Sequence, residues 1–205
     1  MTCIVVLGPP RSGTSAVAGV LHNLHVIMHQ EEVTGHDAKN EKGYFEDAAL
    51  NRYHHRMMGG NLLEPELQFV QADMAGYKAL IESRMEQSLW GVKDPRLCYT
   101  FPALYRYVGH DMKLILTERK HDSITRSMMN FRGLGYESAG AVVDNYLRAR
   151  WSSLAEARFS GLRLWVNYDT LLNDMEAQVK RLAAFTGGSV NAQALAFIDR
   201  NLRRY

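Results

Sequence analysis

Residues Gly8-Pro9-Pro10-Arg11-Ser12-Gly13-Thr14-Ser15 sit between an apolar run and a helix-like stretch. Glycines there let the backbone turn so that several N–H groups converge on phosphate oxygens. The N-terminus of the following helix adds favourable partial charge. Thr14 and Ser15 add hydroxyl donors. The spacing resembles G-x-x-x-x-G-K-[ST], but Thr14 stands where a lysine would reach the terminal phosphates of a nucleoside triphosphate. Arg11 lies three residues earlier, inside the loop. Such a loop suits phosphate, though not an ordinary triphosphate with magnesium. The alternative is a tight strand-to-helix turn with no ligand. Strand, glycines, hydroxyls and helix in the required order argue against it.

The loop needs a scaffold. Four short, near-continuous apolar runs, at 3–7, 90–92, 113–117 and 162–166, are predicted as strands covered on both faces. Helical patterns lie between them, at 12–24, 47–58, 74–88 and 137–158. In the last of these Val143, Leu147, Trp151 and Leu154 are predicted to share one buried face. Met175, Val179 and Leu182 form a similar stripe near the end. Alternating strands and helices predict a three-layer α/β fold with a central parallel sheet and helices on both faces. Polar, glycine-bearing stretches near 30–44, 59–73 and 133–140 are read as mobile loops within a single domain spanning 1–205. Ligands of open α/β sheets sit where such loops gather, at the C-terminal ends of the strands.

Composition narrows the partners. The chain has 205 residues with 24 basic and 22 acidic side chains, a net charge of +2, too balanced for a dedicated nucleic-acid binder. An anionic ligand must therefore be held by local basic residues. Two cysteines, Cys3 and Cys98, do not make a disulfide framework, and a reduced, cytoplasmic setting is expected. No apolar stretch has the length of a membrane span. The apolar start, Ile4-Val5-Val6-Leu7, is read as a strand rather than a signal peptide.

Five segments, in order, resemble the sulfotransferases that use 3′-phosphoadenosine 5′-phosphosulfate (PAPS). Pro10-Arg11-Ser12-Gly13-Thr14-Ser15 is similar to their 5′-phosphosulfate loop. Gly43-Tyr44-Phe45-Glu46-Asp47 matches a G-[YF]-[FW]-E segment of bacterial members, and Lys93-Asp94-Pro95-Arg96 resembles the K-D-P segment of bacterial and tyrosylprotein members. Leu114-Ile115-Leu116-Thr117-Glu118-Arg119, with Ser127 eight residues on, resembles the 3′-phosphate site. Asn167-Tyr168-Asp169-Thr170-Leu171-Leu172, followed by Phe185 and Gly187, resembles the Y-E-D-L segment and its helix. The resemblance spans roughly residues 4–190. It implies a P-loop-like fold, PAPS as cofactor and 3′,5′-adenosine bisphosphate (PAP) as product. Cytosolic small-molecule members have a loop lysine and a tryptophan just after it; here Arg11 and Ser15-Ala16 stand instead, and the adenine-stacking tryptophan is lost. The late R-K-G segment is absent too, and Arg203-Arg204 is no equivalent.

The resemblance assigns Arg11 to the 5′-phosphosulfate and Lys93 to the transition state, where charge grows on the bridging oxygen. Arg119 and Ser127 would hold the 3′-phosphate, and Tyr168 would touch adenine or else be a core tyrosine. No metal is required by this scheme. The acceptor hydroxyl must lose a proton, and Glu46 is the first candidate base. Glu31, Glu32 and His54 are rivals, and helix capping is the structural alternative for Glu46. His22, His25 and His29 have helical spacing, but Val26-Ile27-Met28 argues that the helix has ended before a metal site could form. The Met57-Met58 and Met128-Met129 pairs are read as core. Tyr44, Phe45, Tyr53 and Phe69 line either an acceptor entrance or the core. The acceptor class stays open among sugar, lipid, phenol and peptide hydroxyls. Two other functions fit the loop: an ATP-dependent phosphotransferase on a degenerate P-loop, and a non-catalytic nucleotide-binding regulator.

Overall fold

The computed structural model describes residues 1–29, 40–60 and 73–198. Four strands form one all-parallel sheet: β1 (Thr2–Leu7), β2 (Leu89–Lys93), β3 (Met112–Glu118) and β4 (Arg163–Asn167). Their spatial order is β2-β1-β3-β4. The helices are α1 (Thr14–Asn23), α2 (Ala48–Met57), α3 (Met74–Met85), α4 (Leu97–Val108), α5 (His121–Arg132), α6 (Tyr136–Glu156), α7 (Tyr168–Asn173), α8 (Met175–Thr186) and α9 (Ala192–Phe197).

Side chains of a strand alternate between faces, and both faces of this sheet are apolar. Cys3, Val5 and Leu7 of β1 point into one core with α2 to α6. Ile4 and Val6 point into the other, with α1, α7, α8 and α9. This is the three-layer α/β fold with helices on both faces. The chain leaves β1 towards β2 on one side and leaves β3 towards β4 on the other. The topological switch point therefore lies between β1 and β3, and a crevice opens at their C-terminal ends.

Local chemistry sets the element boundaries. Asp47 caps α2: its Oδ1 accepts from the backbone N–H groups of Ala49 and Leu50 at 3.0 and 3.1 Å. Its Oδ2 accepts from Arg84 Nε of α3 at 2.9 Å, so one carboxylate ends a helix and ties two helices together. Gly133, at φ +69°, closes α5 in a left-handed cap. The connection to α6 then needs only residues 133–135, and 136–140 form the start of α6. Cys3 and Cys98 are free and buried in the same core, where burial pushes the Cys98 thiol up to about 12. Met57 and Met128 belong to that core as well. Among the described residues no helix is long and apolar enough to cross a membrane.

The predicted face of α6 needs correction. Val143 and Leu154 are buried, but Trp151 is 47% exposed. The inward stripe runs instead through Val142, Val143, Tyr146, Arg150, Ser153 and Leu154. Arg150 takes the inward place because its guanidinium donates to the Thr117 carbonyl at 3.1 Å. Trp151 then leans outward on Trp165 of the edge strand, ring centroids 5.8 Å apart. Accordingly, Leu154→Ala should destabilise the protein by about 2–5 kcal/mol, and Trp151→Ala by less than half of that. Urea unfolding of both variants checks this; a larger cost at Trp151 would contradict the assigned face.

Candidate active site

The sheet register brings the sequence segments together. Val6 pairs with Lys93, Leu7 with Leu116, and Glu118 with Asn167. The loop after β1 thus lies between Lys93 on one side and Arg119 on the other, and Tyr168 follows at the end of the neighbouring strand.

The loop is anchored from below. Ser12 is fully buried; its Oγ donates to the Pro9 carbonyl at 2.7 Å and shares a 2.7 Å hydrogen bond with Thr117 Oγ1. The Ser12 hydroxyl is therefore spent on the loop itself. Gly8 is needed because a Cβ there would overlap Thr117 Oγ1. Arg11 and Gly13 are left-handed, with φ of 69° and 96°. A side chain at Gly13 would collide with the Tyr168 ring, so the loop and the β4 end fit only without one.

Above this base Arg11 and Arg119 meet. Arg11 Nε donates to Ser127 Oγ at 2.9 Å, and Arg119 donates through a terminal nitrogen to the Arg11 carbonyl at 3.2 Å. Arg119 also lies over the Tyr168 ring, 4.9 Å from its centroid. Arg11, Gly13, Thr14, Ser15, Arg119 and Tyr168 line a cleft whose far wall is residues 40–43 with Leu172, Phe197 and Ile198. Pro10, Ser12 and Ser127 are not part of that lining. Lys42 joins the far wall by donating to the Phe197 carbonyl.

On the β2 side, Lys93 Nζ donates to Glu46 Oε1 at 2.6 Å, with side chains only 2% and 11% exposed. Glu46 immediately precedes the helix cap, and Asp47 fills the capping role. Phe45 before it is left-handed, at φ 53°. Asn51 of α2 donates to Glu46 Oε2 at 2.6 Å, and an Arg96 nitrogen lies 3.9 Å from the same oxygen. Arg96 is itself held by Asp94 Oδ1, through its backbone N–H at 2.9 Å and its guanidinium at 3.0 Å. Burial works to raise the Asp94 pKa; the Arg96 charge and the His54 hydrogen bond outweigh it and hold the carboxyl well below the usual carboxylate range.

The structure thus puts Arg11, Arg119 and Tyr168 on one cleft, ties Ser127 to Arg11, and pairs Lys93 with Glu46. Glu31, Glu32 and Phe69 lie outside the described residues. His54 is fully buried, with both ring nitrogens in hydrogen bonds, while His55 points outward. Tyr44 faces the pair, its ring 5.8 Å from Lys93 Nζ. Phe45 and Tyr53 pack into the two cores. Among the described residues no group of His, Cys, Asp or Glu is arranged to hold a metal ion. Asn51, Thr117 and the clamp on Arg96 escaped the sequence reading. Asn51 carries no motif, and Thr117 and Arg96 lie in quoted segments whose spacing does not reveal their partners.

Comparison with known proteins agrees with this geometry. The family model described as "Sulfotransferase family" matches residues 3–191. The fold is similar to the sulfotransferase domain of the Synechococcus PCC 7002 olefin synthase: TM-score 0.57, 18% identity, 98% of this chain and 78% of that one covered. It is also similar to sulfotransferase STF9 from Mycobacterium avium: TM-score 0.54, 13% identity, with 95% of this chain and 66% of that one covered. No match was found among curated protein sequences. Strand order and a family match over nearly the whole chain converge: this protein belongs to the sulfotransferase family.

Proposed function

We propose that this chain transfers a sulfuryl group from PAPS to an acceptor hydroxyl, as a single sulfotransferase-like domain over residues 1–205. One observation carries the reading: Arg11 and Arg119 line one cleft, with the Arg119 guanidinium donating to the Arg11 carbonyl, and Lys93 at the end of the neighbouring strand holds Glu46 in a buried pair. The residues fit a nucleoside with two separate phosphates. A phosphate loop with Arg11 and Thr14 offers one anion site, and Arg119 offers a second. Tyr168, already beneath Arg119, offers a ring to the base. Two free, buried thiols support a reducing, cytoplasmic setting.

PAPS, when bound, supplies the sulfuryl group. Glu46 takes the proton of the acceptor hydroxyl. Arg11 and Lys93 stabilise the charge that develops on the departing phosphate oxygen. In the structure Lys93 and Glu46 hold one another, so the pair must loosen as acceptor and donor enter. Tyr44, facing Lys93, is the described aromatic residue best placed to touch the acceptor. The acceptor is a small-molecule, glycan or peptide hydroxyl, and the scheme needs no metal.

PAP should raise the melting temperature more than ATP with magnesium. A ligand at a hundred times its Kd adds about 2.7 kcal/mol to stability. A larger shift with ATP-magnesium, read by scanning fluorimetry, would favour a phosphotransferase. Arg119→Ala should weaken PAP by roughly 1.5–3 kcal/mol and leave adenosine 5′-phosphate nearly unchanged in calorimetry. Equal weakening of both ligands would move Arg119 to the other phosphate.

Glu46→Gln should cost ~10²–10⁴ in turnover, measured as transfer of labelled sulfuryl from PAPS to a phenol. It should also lower stability, because the Lys93 charge is left buried without its partner. Adding Lys93→Met should restore stability but not turnover. Near-normal turnover in Glu46→Gln would send the search for the base to Glu31, Glu32 or His54.

A further inference from the structure

A hydrogen-bonded chain runs away from the Lys93–Glu46 pair into the core. Arg96 lies between two carboxylates, 3.0 Å from Asp94 Oδ1 and 3.9 Å from Glu46 Oε2. Asp94 Oδ2 meets His54 Nδ1 at 2.9 Å, and His54 Nε2 meets the Tyr77 hydroxyl at 3.0 Å. Asp94, His54 and Tyr77 are all essentially inaccessible to solvent. A carboxylate only accepts, so His54 Nδ1 carries the proton, and in the neutral ring Nε2 accepts from the Tyr77 O–H.

From this geometry we infer that His54 is a positioning residue: through Asp94 it keeps Arg96 off Glu46, and so reserves Glu46 for Lys93. The physical reason is the orientation of one carboxylate. His54 takes Oδ2 and leaves Oδ1 to receive both bonds from Arg96. Without the His54 donor, only Arg96 still orients the buried Asp94 carboxylate, Oδ2 is left without its partner, and the hold on the guanidinium loosens. The nearest other anion is Glu46, and Arg96 need close by only about one ångström to bind it as a charge-assisted partner. Arg96 then competes with Lys93 for the same carboxylate. Glu46 lies just ahead of the α2 cap and His54 lies within α2, so one short stretch of chain carries the proposed base and the device that keeps it available.

The bearing on turnover rests on the function proposed above; the arrangement of Lys93 does not, and it can be read without donor or acceptor. Trace labelling with acetic anhydride, followed by mass spectrometry of peptides, reports how firmly Lys93 is held. Lys113 serves as internal reference, since its ammonium donates to the Phe185 carbonyl on the opposite layer. Two variants separate the nitrogens of His54. Asparagine places an amide near Nδ1 and can keep the Asp94 bond; glutamine reaches the Nε2 position and keeps only Tyr77. His54→Gln should raise Lys93 labelling relative to Lys113 at least threefold, and His54→Asn should stay within twofold of wild type. Arg96→Gln added to His54→Gln should return labelling towards wild type, because the competitor is gone. A loss of packing alone would not be rescued in that way. His54→Phe, ring-sized and apolar, serves if the buried glutamine weakens folding. Unchanged labelling in folded His54→Gln or His54→Phe, or a rise that persists without Arg96, overturns the inference. Wild-type transfer of labelled sulfuryl from PAPS to a phenol is scored separately, so a failed function and a failed positioning role give different results.

Discussion

A buried ammonium and a buried carboxylate, 2.6 Å apart, join the end of β2 to the start of α2. Taking two charges out of water is costly, and their attraction offsets that cost only when the remaining donors and acceptors are also satisfied. Asn51 and Arg96 crowd around Glu46 for this reason, Asp94 holds Arg96, and His54 holds Asp94. Much of the polar chemistry between the sheet and this helical layer follows from the one pair. Asp47, next in sequence, fixes where α2 begins and ties it to α3 through Arg84. The helix is thus held in place by charge at its start and by apolar packing, Leu50 and Met57, along its length.

The opposite flank of the phosphate loop is organised by hydroxyls and backbone. Ser12, Thr117 and Gly8 bring β1 and β3 within a distance that admits no extra methyl group. Arg11 and Phe45 both adopt left-handed backbone, an unfavourable conformation for residues with a Cβ. One lies in the loop and the other just before Glu46. The surroundings over-determine both: Arg11 through Ser127 and Arg119, Phe45 through its ring on Phe197, centroids 5.5 Å apart. A nearly neutral chain thus places Arg11, Lys93 and Arg119 at one end of one sheet.

Much of this was legible in the sequence. The four strands, the turn from β1 into α1 and the order of the segments follow from apolar runs, glycines and hydroxyls, because local backbone and burial requirements leave a direct trace. The Lys93–Glu46 pairing was foreshadowed as two residues of one site, but not as a buried contact, since 47 positions separate them and only the fold sets their distance. The outward turn of Trp151 was not legible. Its apolar character suits either side of α6, and the decision came from Arg150, which had a carbonyl to satisfy on β3. Asn51 and the His54–Asp94 link were hidden for the same reason: a polar residue inside a helix announces neither its partner nor its burial.

That same Arg150 gives the molecule an optical property. Two of the three tryptophans, Trp151 and Trp165, flank its guanidinium at 5.2 and 5.6 Å, both partly open to water. The guanidinium holds the Thr117 carbonyl, and the Thr117 hydroxyl holds Ser12 of the phosphate loop. A rearrangement of the loop therefore reaches two indoles through a short chain of contacts. A change in that loop is expected to alter the emission of these indoles, with no label added.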